Sequence, residues 1–445
     1  MKNSNDSSYN EPGLKSKTCR PKFGEAVRFW LKLGFISFGG PAGQIAIMHT
    51  ELVERKKWIE DSQFLHALNF CMLLPGPEAQ QLATYIGWLL HRTWGGIVAG
   101  TLFFLPSVGV LWGLGYIYMA FGEVGWVAAA FAGLKPAVLA IVAVAVFRIG
   151  KKALKNGVMW CIALLAFVAI FFFKSPFPAI IAAAGLVGWL GARIRRDLFV
   201  NFKGGGDPVR SAIETTKDQP VEGTSLTRSL KVIGVCLLLW WAPVFFAGQT
   251  LGWDHTVTQE GIFFSKAAMV TFGGAYAVLP YVAQAAVEEH GWLEPEQMID
   301  GLGLAETTPG PLIMVVQFVG FAGGWQHPGD LSPIVAATLG ALLTTWVTFV
   351  PCFLWILLGA PFIERLQGHS GLTGALSTIT AAVVGVILNL AIWFGIHVLF
   401  PGGNPNWFGL IVCASVFVAL LKWKVNVLWV VAAGCASGIL WNALI

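Results

Sequence analysis

The sequence predicts an all-α integral membrane protein with an inverted-topology internal repeat and broken or re-entrant helices. Three observations predict it. The 445-residue chain is 56% hydrophobic and 12% charged, whereas a soluble domain carries about 25% charged residues. Apolar runs recur from Phe23 to Ile445, so most of the backbone must satisfy its polar groups inside helices within a bilayer. The motif Phe38-Gly39-Gly40 … Pro75-Gly76-Pro77 returns as Phe272-Gly273-Gly274 … Pro309-Gly310-Pro311, a constant 234 positions later (272 − 38). Between the motifs, Lys32 matches Lys266, Glu54 matches Glu288, Trp58 matches Trp292, Glu60 matches Glu294 and Gln63 matches Gln297.

The polar tail 1–22 lacks the charged-then-apolar pattern of a secretory signal. The first repeat, 23–192, holds six apolar elements, at about 23–50, 62–90, 94–120, 125–148, 157–173 and 176–192. A polar stretch, 193–229, contains Gly204-Gly205-Gly206 and is expected to be a flexible cytoplasmic linker. An unmatched apolar element at 230–251 precedes the second repeat, 260–445. Six elements plus one is an odd number, so the second copy enters the membrane from the opposite side. Loop charge agrees. Glu51 to Asp61 contains Arg55, Lys56 and Lys57, while its partner, Ala285 to Pro295, has Glu288, Glu289 and Glu294 and neither Lys nor Arg. The first is expected inside, with the N-terminus, and the second outside. For the N-terminus and Glu51–Asp61 to share a side, element 23–50 must double back at Gly39-Gly40-Pro41. Nine crossings result if all four broken elements double back, and thirteen if all span.

Twenty tryptophans suit interfacial belts, or pack between helices. The seven cysteines, Cys19, Cys71, Cys161, Cys236, Cys352, Cys413 and Cys435, are dispersed without CxxC spacing and read as small buried hydrophobes rather than metal ligands or disulfides.

Four groups of residues carry candidate chemistry. Pro75, Pro77, Pro309 and Pro311 should break helices around Gly76 and Gly310, and Pro77 and Pro311 suit the first position of new half-helices. Helix starts present free N–H groups and partial positive charge, which favour an anion. Gly39, Gly40, Gly273 and Gly274 allow unwinding and close approach, and the neighbouring Ser37 and Thr271 hydroxyls can donate to an oxyanion. Close packing through small residues is the alternative. Lys32, Lys266 and mid-segment Lys135 are candidate cations for an anion, although Lys32 and Lys266 can also snorkel. Glu306 and Glu78 are candidate proton carriers, and Glu78 can instead cap a half-helix. Gln80, Gln81, Gln317 and Asn69 can line the same cavity, and Asn389 can be an interhelical hydrogen bond. Walker, HExxH and GxSxG signatures are not found, His49, His66 and His91 are unclustered, and no cofactor, metal, catalytic residue or nucleic-acid partner is expected.

These motifs resemble the chromate ion transporter family in its long, two-domain form. The resemblance rests on Phe38-Gly39-Gly40-Pro41, Trp58, Leu74-Pro75-Gly76-Pro77 followed by Gln80, Phe272-Gly273-Gly274, and Thr308-Pro309-Gly310-Pro311. It covers the chain from about Phe23 onward. It implies a carrier of the bacterial cytoplasmic membrane that exports chromate, driven by the membrane potential or the proton gradient, and confers chromate resistance. Thr308 joins the substrate-binding residues on this pattern. The second copy departs from the first at Ala275, opposite Pro41. Chromate is a dianion with acceptor oxygens only, and sulfate has the same charge and nearly the same shape, so the choice between them stays open. So do a homodimer, an anion channel without a coupling carboxylate, and, less in keeping with the motifs, a membrane enzyme or sensor. Besides the anion, the lipid bilayer is the one partner expected.

Overall fold

The computed structural model describes residues 20–199, 226–362 and 370–444. Most of the tail, and linker residues 200–225, lie outside the described residues. Every regular element among the described residues is helical.

The repeat is visible element by element. In the first half, α1 (Phe23–Ile36) and α2 (Gly40–His49) flank the Phe-Gly-Gly break, and α2 runs into a π-turn, Thr50–Arg55. Helices α3 (Asp61–Cys71) and α4 (Glu78–Phe121) flank the Pro-Gly-Pro break. Then follow α5 (Gly125–Ala153), α6 (Gly157–Phe173) and α7 (Phe177–Ile194). The unmatched helix is α8 (Leu226–Leu251). In the second half, α9 (Thr256–Val270) and α10 (Ala275–Ala283) flank the break, and α10 ends in a π-turn, Gln284–Glu289, at the positions equivalent to the first. Next are α11 (Pro295–Thr307), a 3-10 turn (Leu312–Met314) leading into α12 (Val315–Gln326), α13 (Pro333–Gly359), α14 (Ser370–Leu399), α15 (Trp407–Val418) and α16 (Val427–Leu444).

The matched residues have structural jobs. Glu60 with Gln63, and Glu294 with Gln297, form capping boxes that start α3 and α11, each satisfying two otherwise orphaned backbone donors. Phe29 and Trp58 meet edge to face at 5.0 Å, and their partners Phe263 and Trp292 do so at 5.9 Å. Lys56 lies over the Trp58 ring at 4.7 Å, and the equivalent His290 stacks on Trp292 at 4.3 Å.

These contacts show that the broken elements double back. Phe29 lies in the second turn of α1 and Trp58 beyond the end of α2, yet their rings touch. A straight element would separate them by roughly 40 Å at 1.5 Å per residue. Lys56 Nζ, 3.7 Å from Glu25 Oε1, repeats the observation. Phe70 and Tyr85, on either side of Gly76 in sequence, have ring centroids 5.5 Å apart. Gly301 and Phe318, placed almost evenly about Gly310, are in direct contact.

Helix α4 is two arms rather than one rod. His91 (φ −139°) and Arg92 (φ 53°) leave the helical conformation. Beyond them Gly95 lies against Gly87, Gly96 against Thr84 and Gly100 against Gln80 and Thr84. The pairing runs in opposite directions, so the arms are antiparallel, and a Cβ on Gly87 would stand 2.4 Å from the Gly95 carbonyl oxygen. Among the described residues seven helices, α4, α5, α7, α8, α13, α14 and α16, are long and apolar enough to cross a membrane, and α6 and α15 are shorter apolar helices; the crossing count of nine follows if those two span as well.

Contacts between loops show the inversion. The His91 ring nitrogen is 3.0 Å from the Pro21 carbonyl, so the turn of α4 and the start of α1 share a face. Three crossings later, Lys174 pairs with Glu288 at 3.9 Å. Glu288 therefore stands on the face opposite its repeat partner Glu54. Arg148 donating to the Leu420 carbonyl ties the loops of the first face together. Exposed Trp94, Trp126, Trp407 and Trp423 stand at or near helix ends, while Trp30, Trp58 and Trp292 are buried between helices.

The halves are clamped by side chains as well. Lys135 on α5 lies 3.6 Å from Asp300 on α11, and Tyr118 donates to the same carboxylate oxygen at 2.9 Å. Leu134 and Val138 flank this contact against Gly303.

Two outcomes are expected. Cysteines placed at the repeat partners Glu54 and Glu288, in a cysteine-free background, should react with an impermeant maleimide from opposite faces; labelling from one face would remove the inversion. Asp300→Ala should lower stability by about 1–3 kcal/mol in a detergent melt, less than a fully buried broken pair because Lys135 is 26% exposed. A Lys135→Met/Asp300→Leu double variant should recover most of that loss.

Candidate functional site

The two breaks of each half meet the two breaks of the other. The N–H of Gly76 donates to the carbonyl of Thr271 at 2.7 Å, and the N–H of Gly310 donates to the carbonyl of Ser37 at 2.7 Å. Gly76 and Gly310 are repeat partners, as are Ser37 and Thr271, so one bond is the symmetry image of the other. Each Pro-Gly-Pro turn therefore closes on the opposite half's Phe-Gly-Gly turn.

Local sequence explains why these groups are free to pair. All six break glycines have positive φ: 89° and 69° at Gly39 and Gly40, 128° at Gly76, 81° and 91° at Gly273 and Gly274, and 98° at Gly310. That left-handed geometry favours glycine and turns the peptide out of the helical ladder. The prolines contribute no donors. Pro77 stands just before α4 and Pro311 just before the 3-10 turn, so each caps its half-helix and does not fill the first helical position. The Ser37 and Thr271 hydroxyls donate back to Leu33 and Ala267 at 2.7 and 2.6 Å, which holds each last turn together beside the break.

The remaining turn carbonyls accept from side chains that differ between the halves. The Pro75 carbonyl accepts from Gln81 Nε2 at 2.7 Å, while its partner, the Pro309 carbonyl, accepts a short hydrogen bond from Ser107. The Gly310 carbonyl accepts from Gln44 Nε2. Gln80 donates to Thr84 at 3.1 Å and Gln317 to the Val108 carbonyl at 2.8 Å. In this state the glutamine amides expected to face a ligand are committed to the protein, and the buried Oε1 atoms of Gln44, Gln80, Gln81 and Gln317 have no partner. Thr308 is buried and donates to the Ala305 carbonyl at 3.0 Å.

The acids converge although they are not repeat partners. Glu306 is buried and accepts a short hydrogen bond from Tyr276. Glu78 Oε1 lies 3.7 Å from the position a Cβ on Gly274 would take. Both carboxylates thus adjoin the segment Gly274–Tyr276. Glu78 also opens α4, where the positive end of the helix favours it. Lys32 and Lys266 are exposed on α1 and α9, outside this lattice, and Asn69 is exposed as well. Lys135 is held by Asp300, away from the breaks.

Tyr276, Gln44, Ser107, Asp300 and Glu260 were not singled out from the sequence. Asp300 and Glu260 carried a signal, an acid inside an apolar run. Gln44 and Ser107 carried little, because their partners lie 266 and 202 residues away.

Comparison with known proteins follows the same division. The family model described as chromate transporter matches residues 24–189 and again 259–439, one match on each repeat. A chromate transport protein of Cupriavidus metallidurans is 29% identical over 83% of this chain and 81% of its own length. One of Pseudomonas aeruginosa is 29% identical over 80% and 77%. YwrB of Bacillus subtilis, an uncharacterized transporter, is 31% identical over 32% of this chain and 71% of its own length. No solved structure matches. Two matched copies, joined break to break, place this chain in the chromate transporter family.

Proposed function

We propose that the protein exports chromate across a bacterial cytoplasmic membrane, with its N-terminus inside, by opening the paired breaks alternately to the two faces. The observation that carries this reading is the pair of symmetry-related bonds, Gly76 to Thr271 and Gly310 to Ser37. Each bond places a carbonyl oxygen on a backbone donor at a half-helix start. An oxyanion offers the same atom type to the same donor. Breaking one bond exposes one N–H and the adjacent hydroxyl region while the other bond keeps its side shut. Inversion makes the two openings face opposite compartments, which is alternating access around a fixed site. Lys32 and Lys266, exposed beside each break, draw the dianion in. Glu306, held by Tyr276, takes up the proton that couples export to the gradient, and Glu78 supports it from the first half.

Three measurements test this. In everted vesicles, chromate uptake should stop with an uncoupler and persist in excess sulfate. Uptake indifferent to uncoupler would indicate a channel or exchanger, and equal suppression by sulfate would make chromate a passenger. Glu306→Gln should lower proton-driven uptake by about tenfold or more, within the usual range of coupling between two bound ligands, and flatten its pH dependence; an unchanged profile would remove the coupling role. Gly310→Ala should be more damaging than Gly273→Ala. Both place a side chain at positive φ, a strain of about 1–3 kcal/mol. At Gly310 the new Cβ would also stand 1.9 Å from Ser107 Oγ, whereas at Gly273 it meets open space. Equal activity of the two variants would mean that the Gly310 turn is not where the anion passes.

A further inference from the structure

Glu260 lies one turn into α9 and is fully buried. Neither carboxylate oxygen has a hydrogen-bond partner. Native proteins seldom leave a buried polar group in that condition, and an ionised carboxylate with neither cation nor donor is among the costliest groups to bury. The site is shaped for it. A Cβ on Gly323 of α12 would stand 2.3 Å from Oε1, and a Cβ on Gly340 of α13 would stand 2.6 Å from Oε2. Each oxygen therefore rests on a glycine, one on each of two helices. Those helices touch at Gly320 and Gly340, where a Cβ on Gly340 would come within 2.2 Å of the Gly320 carbonyl oxygen. A side chain larger than glycine's at Gly323 or Gly340 would collide with the carboxyl group.

No compensating charge faces it. Helices α12 and α13 contain no Asp, Glu, Lys, Arg or His; Cys352 on α13 is more than three turns from Gly340. Helix α8 meets α9 through Val244 at Gly261, and its charged residues Arg228 and Lys231 sit at the opposite end. From α10, Tyr281 meets Phe263, one turn further along α9, at 4.9 Å, and from the segment after α10 the neighbour is Trp292, which packs beside Gly323 and has His290 stacked on it. On its own element, His255 caps the helix through Nδ1, with Nε2 3.2 Å from the Pro328 carbonyl, and Lys266 is exposed further along. Asp254 and Asp330 lie in the loops beyond.

We infer that Glu260 is a proton-binding site on the outer side of the membrane, distinct from Glu306, which takes protons from outside during transport. It rests on the reading that oxyanion export is coupled to inward proton flow. Its position is one-sided, since the repeat partner of Glu260 is Ala26. Only the second half carries this acid, between the surface histidines His255 and His290 and the interior. The two nearly equivalent halves thereby acquire different proton chemistry on the two faces.

The test is an infrared difference spectrum of the full protein in liposomes as external pH is stepped, with Glu260→Gln and Glu260→Asp beside the wild type. A carbonyl band of a protonated carboxylic acid should appear in the wild type, vanish in Glu260→Gln and shift in Glu260→Asp. A band unmoved by both substitutions, or no band in the wild type, would overturn the proposal. This readout requires no transport, so it separates failure of the site from failure of the functional reading. In flux measurements, Glu260→Gln should lower proton-driven uptake by about tenfold while chromate–chromate exchange stays near the wild-type rate, which also reports that the variant has folded. A sodium gradient that drives uptake at constant pH, and loses its effect in Glu260→Gln, would assign the site to a metal cation and overturn it as well.

Discussion

A break inside a membrane helix leaves backbone donors and acceptors without partners, in a medium that cannot supply them. This chain has four such breaks, and the constraint is met by making each half the solvent of the other. The amide of one Pro-Gly-Pro turn is satisfied by the carbonyl of the opposite Phe-Gly-Gly turn, twice, about one pseudo-twofold axis. Much else follows from that demand. The elements must double back so that all four turns reach a common depth. The capping boxes and the Phe–Trp pairs fix where each returning arm begins. The π-turns end α2 and α10 at equivalent positions. The unmatched α8 is needed to deliver the second copy from the other face.

Symmetry in the backbone is paired with asymmetry in the side chains. Where the first half supports its Pro75 carbonyl with Gln81, the second uses Ser107 borrowed from the first half. Tyr276 and Glu306 stand where the first half has Ala42 and Met72, and Asp300 stands opposite His66. The acids that can carry protons deep in the membrane cluster in the second half, with Glu78 the exception. The backbone turns are duplicated, whereas the side chains that support them are not.

Much of the fold was legible in the sequence because its signals are local or repeated. Gly-Gly and Pro-Gly-Pro mark breaks through backbone conformation alone, and the 234-residue offset announces the duplication without any knowledge of contacts. The sign of the charges around Lys56 and Glu288 carried the inversion, and it also favoured doubling back before any geometry was available. The site was less legible. The sequence shows that Gly76 frees an N–H but not that Thr271 takes it, because that partner is 195 residues away (271 − 76) and nothing local encodes the meeting. Gln80, Gln81 and Gln317 were read as lining a ligand cavity, yet Gln81 donates to the Pro75 carbonyl and Gln317 to the Val108 carbonyl, contacts that tertiary approach alone creates. Lys135 looked like a free cation until Asp300, near the start of its apolar run, turned out to face it.

The reciprocal bonds also bear on biogenesis. While the N-terminal half is being inserted, the Gly76 amide and the Ser37 carbonyl have no mate, since both mates belong to chain not yet made. That half must wait as an unfinished surface, and a second polypeptide presenting the same turns in the opposite sense would complete it equally well. A gene cut between residues 199 and 226 would then encode two fragments, each unstable alone and each a chaperone for the other. Covalent linkage guarantees a one-to-one ratio and opposite insertion, and chemistry at the breaks would not distinguish a fused chain from a matched pair.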